Sequence, residues 1–392
     1  MNFCGIVCEF NPFHNGHEYI IQEAKKLTNK EIICLMSGDF VQRGTPAIQS
    51  KYDRAKNAIL AGANAVLELP CVYACSNAEN FAFGAVKTFK ALGINTIAFG
   101  IENTDLETLK KVAKLKFENS ERFKDAFKNE VQNGINYNTA LKRSIAETLG
   151  DDGIIEILNK PNNILGVEYL TAILKLDANI EVVAIERTDN GYNSKTNKSK
   201  FLSASSIRER ILNGENYKEF VPAYAKINSY FTAIHNNIFN SICLLKIRQT
   251  PAQKVADCYD YSEGIEFRIK KIADTFSNLD EIIEKVSTPR YRKPRVNKLV
   301  VYPLLNITKK IQASAKETKP AIKALAINKN NKELLNLYNK KRINLIACNS
   351  DYEILTKKQK EIIQIDIDAS NIYNTIMSKP NNNDKKIGTM FL

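Results

Sequence analysis

An α/β fold built on a parallel sheet, followed by a mainly α-helical C-terminal region, is what this sequence predicts. Three observations carry the prediction. Short apolar or β-branched runs alternate with amphipathic helical stretches over the first two hundred or so residues. Gly, Pro, Ser and Asn punctuate the boundaries between them. Beyond Glu215 the alternation stops and long helical stretches take over. The expected division is a sheet-bearing unit at 1–215 and a mainly helical unit at 216–392. With 392 residues the chain is ample for two domains with sizeable cores.

Phe3 to Val7 reads as the first strand, and Tyr19, Ile20 and Ala24 give the next segment a helical apolar face. Between them lies Glu9-Phe10-Asn11-Pro12-Phe13-His14-Asn15-Gly16-His17, a strand-to-helix turn. Asn15 is expected to cap the helix, Pro12 to fix its own φ, and Gly16 to let backbone approach a ligand, which makes the first helical turn an anion site. Two of the three histidines of the chain stand at this turn. A neutral imidazole donates a hydrogen bond to a phosphate without adding fixed charge, and that bond strengthens as negative charge builds up.

Glu31 to Met36 is the second expected strand, followed by a loop over Asp39–Pro46 and a helix from Lys51 to Gly62. Lys51 and Arg54 are one turn apart and project alike near the strand ends. As surface charges they need no explanation; with Arg43 on the loop they form a candidate phosphate-binding group. Ala65–Leu69 and Thr96–Phe99 are the third and fourth strands, with a helix between them capped by Ser76 or Asn77 and stopped at Gly93. Ligands of such sheets sit at the strand carboxyl ends, where Gly100 and Ile101 lie. A polar helical insertion spans about 104–150, packed beside the sheet. Asn162 or Asn163 is expected to cap the helix that runs on through Tyr169, Ile173 and Leu174. Ile180–Ile185 is the fifth strand, ending at Glu186-Arg187-Thr188. At Ser203-Ala204-Ser205-Ser206-Ile207-Arg208 the amides and hydroxyls of a helix start can wrap a phosphate beside Arg208.

Helices are expected over Val221–Leu245, Val255–Tyr259 and Gly264–Val286, with His235 a partly buried structural residue. The run Thr288–Lys298 carries Arg290, Tyr291, Arg292, Arg295 and Lys298, which suits phosphate pairing and stacking on a base. Leu334–Ala347 reads as a further helix and strand, and the Asn-rich tail around Asn381 as frayed. The net charge of +13 and pI near 9.2 favour a polyanionic partner, although a Lys- and Asn-rich proteome gives the same excess. There is no apolar run long enough to span a membrane and no secretory leader pattern, so a cytoplasmic protein is expected. The eight cysteines fall mostly within apolar runs and read as reduced core residues. The Cys4/Cys8 and Cys71/Cys75 spacings have no partners that complete a zinc quartet.

His14-Asn15-Gly16-His17 resembles the His-x-Gly-His signature of the nucleotidyltransferase superfamily shared by adenylyltransferases and class I aminoacyl-tRNA synthetases. Several longer strings are similar to the bacterial tRNA(Met) cytidine acetate ligases: Glu9 to His17, Ser37-Gly38-Asp39-Phe40-Val41-Gln42-Arg43-Gly44-Thr45-Pro46-Ala47 with Lys51 and Arg54, and Pro161 to Gly166. The resemblance covers most of the chain. It implies a Rossmann-like nucleotidyltransferase domain and a tRNA-binding helical domain. The implied reaction joins acetate to cytidine N4 at the wobble position of elongator tRNA(Met), with ATP and Mg²⁺, through acetyl-adenylate. His14, His17, Lys51 and Arg54 are then the catalytic groups. The implied ATP site comprises Val7, Cys8, Glu9, Phe10, Asn11, Pro12, Phe13, His14, Asn15, Gly16, His17, Glu18, Gly100, Ile101, Asn162, Arg187, Thr188, Ser205, Ser206 and Arg208. Relatives often carry a small polar residue where this chain has Ile101, so the contact expected there is through backbone. The RNA surface is the 290–298 run. The sequence identifies no metal ligands, and neither a membrane nor an obligate protein partner is inferred. Two rivals remain at this point: adenylyl transfer to a small phosphorylated cofactor precursor, and a non-catalytic RNA-binding protein on a nucleotidyltransferase fold.

Overall fold

The computed structural model describes residues 3–186, 201–225, 227, 230–331, 334, 344–380 and 384–392. Five parallel strands form the heart of the sheet: β1 (Phe3–Cys8), β2 (Glu31–Ser37), β3 (Ala65–Leu69), β4 (Thr96–Ile101) and β5 (Glu181–Glu186), in the order β5-β4-β1-β2-β3. In β2, Ile32 to Met36 are all fully buried, with Ile33 and Leu35 facing one core and Ile32, Cys34 and Met36 the other. Burial on both faces is why these strands read as unbroken apolar runs. The helices that cover them are α1 (Asn15–Thr28), α2 (Lys51–Leu60), α3 (Cys71–Ala74) and α4 (Ala78–Leu92), then α5 (Leu106–Glu118), α6 (Glu121–Gln132), α7 (Tyr137–Leu149), α8 (Gly153–Ile157), α9 (Pro161–Lys175) and α10 (Ala204–Leu212). Asn77 caps α4 and Gly93 ends it in the left-handed region, as the sequence predicts. The expected insertion is three helices, α5 to α7.

The C-terminal half departs from the expected pattern in three places. The described residues within 221–231 are not helical; α11 (Ala233–Gln249) starts later, with Thr232 as N-cap and the Nδ1 of His235 accepting the Thr232 amide. The stretch 264–286 is two helices, α13 (Ile265–Thr275) and α14 (Leu279–Val286), after the short α12 (Ala252–Ala256); Asn278 caps the second and so divides them. Past α15 (Lys293–Leu305) and α16 (Lys309–Glu317), the chain returns to the sheet. There β6 (Ala321–Ile327) pairs antiparallel with β3, and β7 (Asn344–Ile346) pairs with β6. After α17 (Lys357–Ile376), β8 (Met390–Phe391) also joins β6, giving an eight-stranded sheet among the described residues.

The tail expected to fray is therefore packed from Asp384 onward, and Asp384 is 1% exposed. Residues 335–343 and Asn381 to Asn383 lie outside the described residues. One apolar core includes Phe40, Phe99 and Tyr169 as well as Phe239, Tyr302 and Tyr373, so it is shared by both expected units. A chain cut after Glu215 would lose β6 and the partners of that core. It is expected to show no cooperative thermal unfolding by circular dichroism; a sharp transition in the truncated chain would show that the first unit folds alone.

Candidate active site

In this strand order β1 is flanked by β2 and β4, and the chain crosses over in opposite directions on either side of it. Such a switch point leaves a crevice beyond the strand carboxyl ends. A cavity of about 240 Å³ occupies it, walled by the ends of β1 and β4, the starts of α1, α9 and α10, and Gln42 from the loop after β2. Phe81, Phe99, Leu165 and Tyr169 form an apolar side, with the Phe99 and Tyr169 ring centroids 5.6 Å apart. Asn11, His17, Asn162 and Arg208 supply polar groups.

The turn that opens α1 is held by its own histidines. His14, not Asn15, is the N-cap: its Nδ1 accepts the Gly16 amide (3.1 Å), and the His14 amide donates to His17 Nδ1 (3.3 Å). An Nδ1 that accepts places the proton of the neutral ring on Nε2, so both imidazoles carry their N–H on the nitrogen away from the helix cap. The rings stack with centroids 3.6 Å apart, and Phe10 meets His17 edge-on at 4.9 Å. Gly16 has a second role besides access for a ligand: a Cβ there would lie 3.0 Å from His14 Cε1, so a side chain would press the ring out of place. Phe10 sits in the left-handed region at φ 50, costly for an aromatic residue, and is 2% exposed. Asn15 instead donates to the Glu219 carbonyl (3.0 Å), and Glu18 accepts from the Tyr224 hydroxyl (2.9 Å).

Lys51 and Arg54 are placed elsewhere than expected. Both are fully buried. Lys51 Nζ lies 2.9 Å from both oxygens of Glu68 and 3.0 Å from Asp384. Arg54 spends its guanidinium on backbone carbonyls, those of Gln49 (3.0 Å), Glu9 (2.6 Å), Ser37 (3.1 Å) and Gly38. Neither lines the cavity in which phosphate ligands were expected: Arg54 ties the ends of β1 and β2 together through the Glu9, Ser37 and Gly38 carbonyls, and Lys51 neutralises Glu68 on β3 and Asp384. The signal missed was the apolar register of α2, which turns both cations inward along with Ala55, Ala58 and Ile59.

The remaining expected site residues divide clearly. Val7, Cys8, Glu9, Phe10, Asn11, His17, Gly100, Asn162 and Arg208 line the cavity. Pro12, which follows a cis peptide, and Phe13 are buried beside the turn. The Ile101 side chain is in the core, consistent with a backbone role only. Neither Asn162 nor Asn163 caps α9, which begins with Lys160 as N-cap and Pro161 at its first position. Asn163 instead clamps β4, accepting the Glu102 amide (2.9 Å) and donating to the Glu102 carbonyl (2.8 Å), while the Asn162 amide group donates to the Glu102 carboxylate. Ser203 caps α10, and the hydroxyls of Ser205 and Ser206 bond to it at 3.0 and 2.8 Å; neither serine lines the cavity, which α10 meets through Ala204 and Arg208. Arg187 and Thr188 lie outside the described residues. Gln42, Phe81, Leu165 and Tyr169 were missed; Leu165 and Tyr169 stand four apart on α9, a spacing that alone cannot tell a cavity wall from core.

Arg208 donates to the Asn11 carbonyl (2.5 Å). Burial lowers its pKa and nearby Arg43 adds to this, with Glu9 opposing. A guanidinium stays charged regardless, so two cations beside a helix N-terminus leave a site that favours an anion.

The model of the HIGH Nucleotidyl Transferase family matches residues 1–387. A tRNA(Met) cytidine acetate ligase of Thermosipho africanus is 34% identical over 417 aligned residues, covering 100% of this chain and 98% of that one. This chain belongs to the tRNA(Met) cytidine acetate ligase family. A second member, from a Thermoanaerobacter species, is 35% identical over 95% of each chain. The crystal structure of Thermotoga maritima TmcAL bound with alpha-thio ATP superposes with a TM-score of 0.90 at 28% identity, each chain being covered completely. The family fold is thus an α/β nucleotidyltransferase-like sheet with many helices, as expected from the alternation of its runs.

The basic run is less available than its composition implies. Arg295 grips Asp260 with two nitrogens (2.8 and 3.0 Å) over the Tyr291 ring, Arg290 pairs with Glu263, and Tyr291 is buried with its hydroxyl donating to the Ser262 carbonyl (3.0 Å). Lys298 is partly buried, its Nζ toward the Ser76 carbonyl (3.4 Å). Arg292 and Lys293 are exposed. None of the described helices is long and apolar enough to cross a membrane.

Proposed function

We propose that this chain is an ATP-dependent ligase that acetylates N4 of the wobble cytidine of elongator tRNA(Met), as a cytoplasmic enzyme. The observation that carries the reading is the pairing of His17 and Arg208 in one cavity at the N-terminus of α1. An acetate oxygen attacks the α-phosphorus of ATP, the bond to the bridging oxygen breaks, and pyrophosphate leaves with acetyl-adenylate behind it. All the reactants are anions. The positive end of α1, Arg208 and the two Nε2–H groups offset their repulsion and meet the charge that grows on the phosphate oxygens. The apolar side of the cavity, Phe99, Leu165 and Tyr169, has the character that an adenine face needs.

Cytidine N4 then attacks the acetyl carbonyl carbon, the carbonyl–oxygen bond to AMP breaks, and N4 loses a proton. The amine is a poor nucleophile because its lone pair is delocalised into the ring, which is why an activated acyl group is required. Among the described residues no cluster of three His, Cys, Asp or Glu could hold a metal ion. Mg²⁺ would enter with ATP and would offset the charge of its phosphates. The chain is proposed to divide its work, with 1–215 carrying the nucleotide chemistry and 216–392 holding the RNA. Arg292 takes a phosphate there; Arg290, Tyr291, Arg295 and Lys298 shape the surface around it.

Incubation with ATP, radiolabelled acetate and total bacterial tRNA tests the reading. Label should appear in acetylcytidine from methionine tRNA; folded, ATP-binding protein that labels no RNA would point instead to small-molecule adenylyl transfer. Arg292→Ala is expected to weaken tRNA binding a few-fold and to reduce the slope of log affinity against log salt by about one. An unchanged slope would remove Arg292 from the RNA surface.

A further inference from the structure

The insertion α5 to α7 has no part in the chemistry above, yet it meets the basic run directly. Arg292, the N-cap of α15, donates to the Asn136 side chain, which is itself the N-cap of α7. Two turns into α7, Lys142 Nζ donates to the Asn159 side chain (2.6 Å), three residues before the cavity-lining Asn162. On the other flank of the run, a Cβ on Gly44 would lie 3.2 Å from Lys298 Cα, so the loop carrying Gln42 and Arg43 packs on α15 as well. The basic run therefore bridges two walls of the cavity, the loop after β2 and the α7–α9 side.

Along this rim stand Arg43, Arg292 and Lys142. Among the described residues none of the three has a carboxylate within 4.0 Å, whereas neighbouring Arg143 is paired with Glu130 (3.4 Å) and Arg295 with Asp260. Burial lowers the pKa of Lys142 and Arg292 adds to that; no acidic side chain opposes it. Cations left close together without counter-charge are stabilised by an anion that spans them. A polyanion with regularly spaced phosphates does this, and a rim around a recessed cavity lets its backbone run along the edge while one base enters. A flat bilayer would meet such a rim poorly.

We infer that the insertion is one wall of the RNA site, with Lys142 and Arg292 binding neighbouring phosphates of the RNA strand whose base enters the cavity. This rests on the RNA half of the proposed function. Lys142→Glu should weaken tRNA affinity about 5- to 10-fold and lower the salt slope by about one. Acetate-dependent ATP–pyrophosphate exchange without RNA should stay at the wild-type rate. Lys142→Gln, which keeps a donor for Asn159, should lose the same salt slope, so a folding defect in Lys142→Glu cannot imitate the result. If both variants bind tRNA as wild type while Arg292→Glu does not, the insertion is not part of the RNA site and the proposed function stands. If all three bind as wild type, both the inference and the placing of RNA on this rim fail. Binding to phosphatidylglycerol vesicles that is lost in Lys142→Glu, with tRNA binding unaffected, would assign the rim to a membrane surface and overturn the inference.

Discussion

Replacing His17 with alanine is expected to slow acetyl-adenylate formation about 10²- to 10³-fold while leaving tRNA affinity unchanged. The magnitude is that of a hydrogen-bond donor aimed at charge that develops in the transition state. His17 lines the cavity, and its Nδ1 is committed to the His14 amide, so the ring offers a donor at Nε2. The same bond complicates the test, because alanine also removes half of a capping box and so costs about 1 kcal/mol of stability. His17→Gln separates the two effects. Glutamine is a normal capping-box residue at this position and keeps an acceptor for the His14 amide, but does not place a donor where the imidazole Nε2 stands. Both variants should lose pyrophosphate exchange, and His17→Gln should melt close to wild type. Activity within a few-fold of wild type in His17→Ala would remove the histidine from the phosphate chemistry.

The second large effect concerns stability. Lys51→Met should destabilise the protein by about 3–5 kcal/mol, because Glu68 would remain buried without the cation that neutralises it and Asp384 would keep only Lys323. Calorimetry or chemical unfolding reads this directly. The alternative, Lys51 as a phosphate ligand, predicts the reverse pattern: normal stability and weakened ATP binding. Within this cluster Asp384 also contributes to an acid limit. Burial alone would raise the Asp384 carboxyl, but Lys51 and Lys323 outweigh it and hold it down at about 2, below its ordinary 3.8. The folded state thus binds this proton less readily than the unfolded chain. The stabilisation is present above about pH 4 and is lost as the pH falls toward 2. Asp384→Asn should flatten that part of the stability profile. An unaltered acid limb would mean that other carboxylates control it.

Local chemistry explains most of what was legible. Each of the five parallel strands is a short apolar run bounded by turn residues, and each covering helix repeats its apolar residues at helical spacing, so both patterns are complete within about fifteen residues. The His14–His17 turn could be found for the same reason: its motif and its helix start are one continuous string. Even there the cap fell one residue early, on His14 instead of Asn15, because an imidazole acceptor competes with the usual asparagine. Where a residue's role depends on which way it faces, the string was insufficient. Lys51 and Arg54 read as an exposed phosphate pair, and Arg290 and Arg295 as free cations, until their carboxylate and carbonyl partners were in place.

By itself, then, the sequence determined the α/β alternation, the histidine turn between β1 and α1 and the family, all of which are written in contiguous residues. Only the tertiary structure decided that β6 closes onto β3 in the opposite sense, that Asp384 reaches back 333 residues to Lys51, and that α7 meets the basic run. Such pairings depend on burial and charge compensation between segments far apart in the chain, and no periodicity within either segment records its partner.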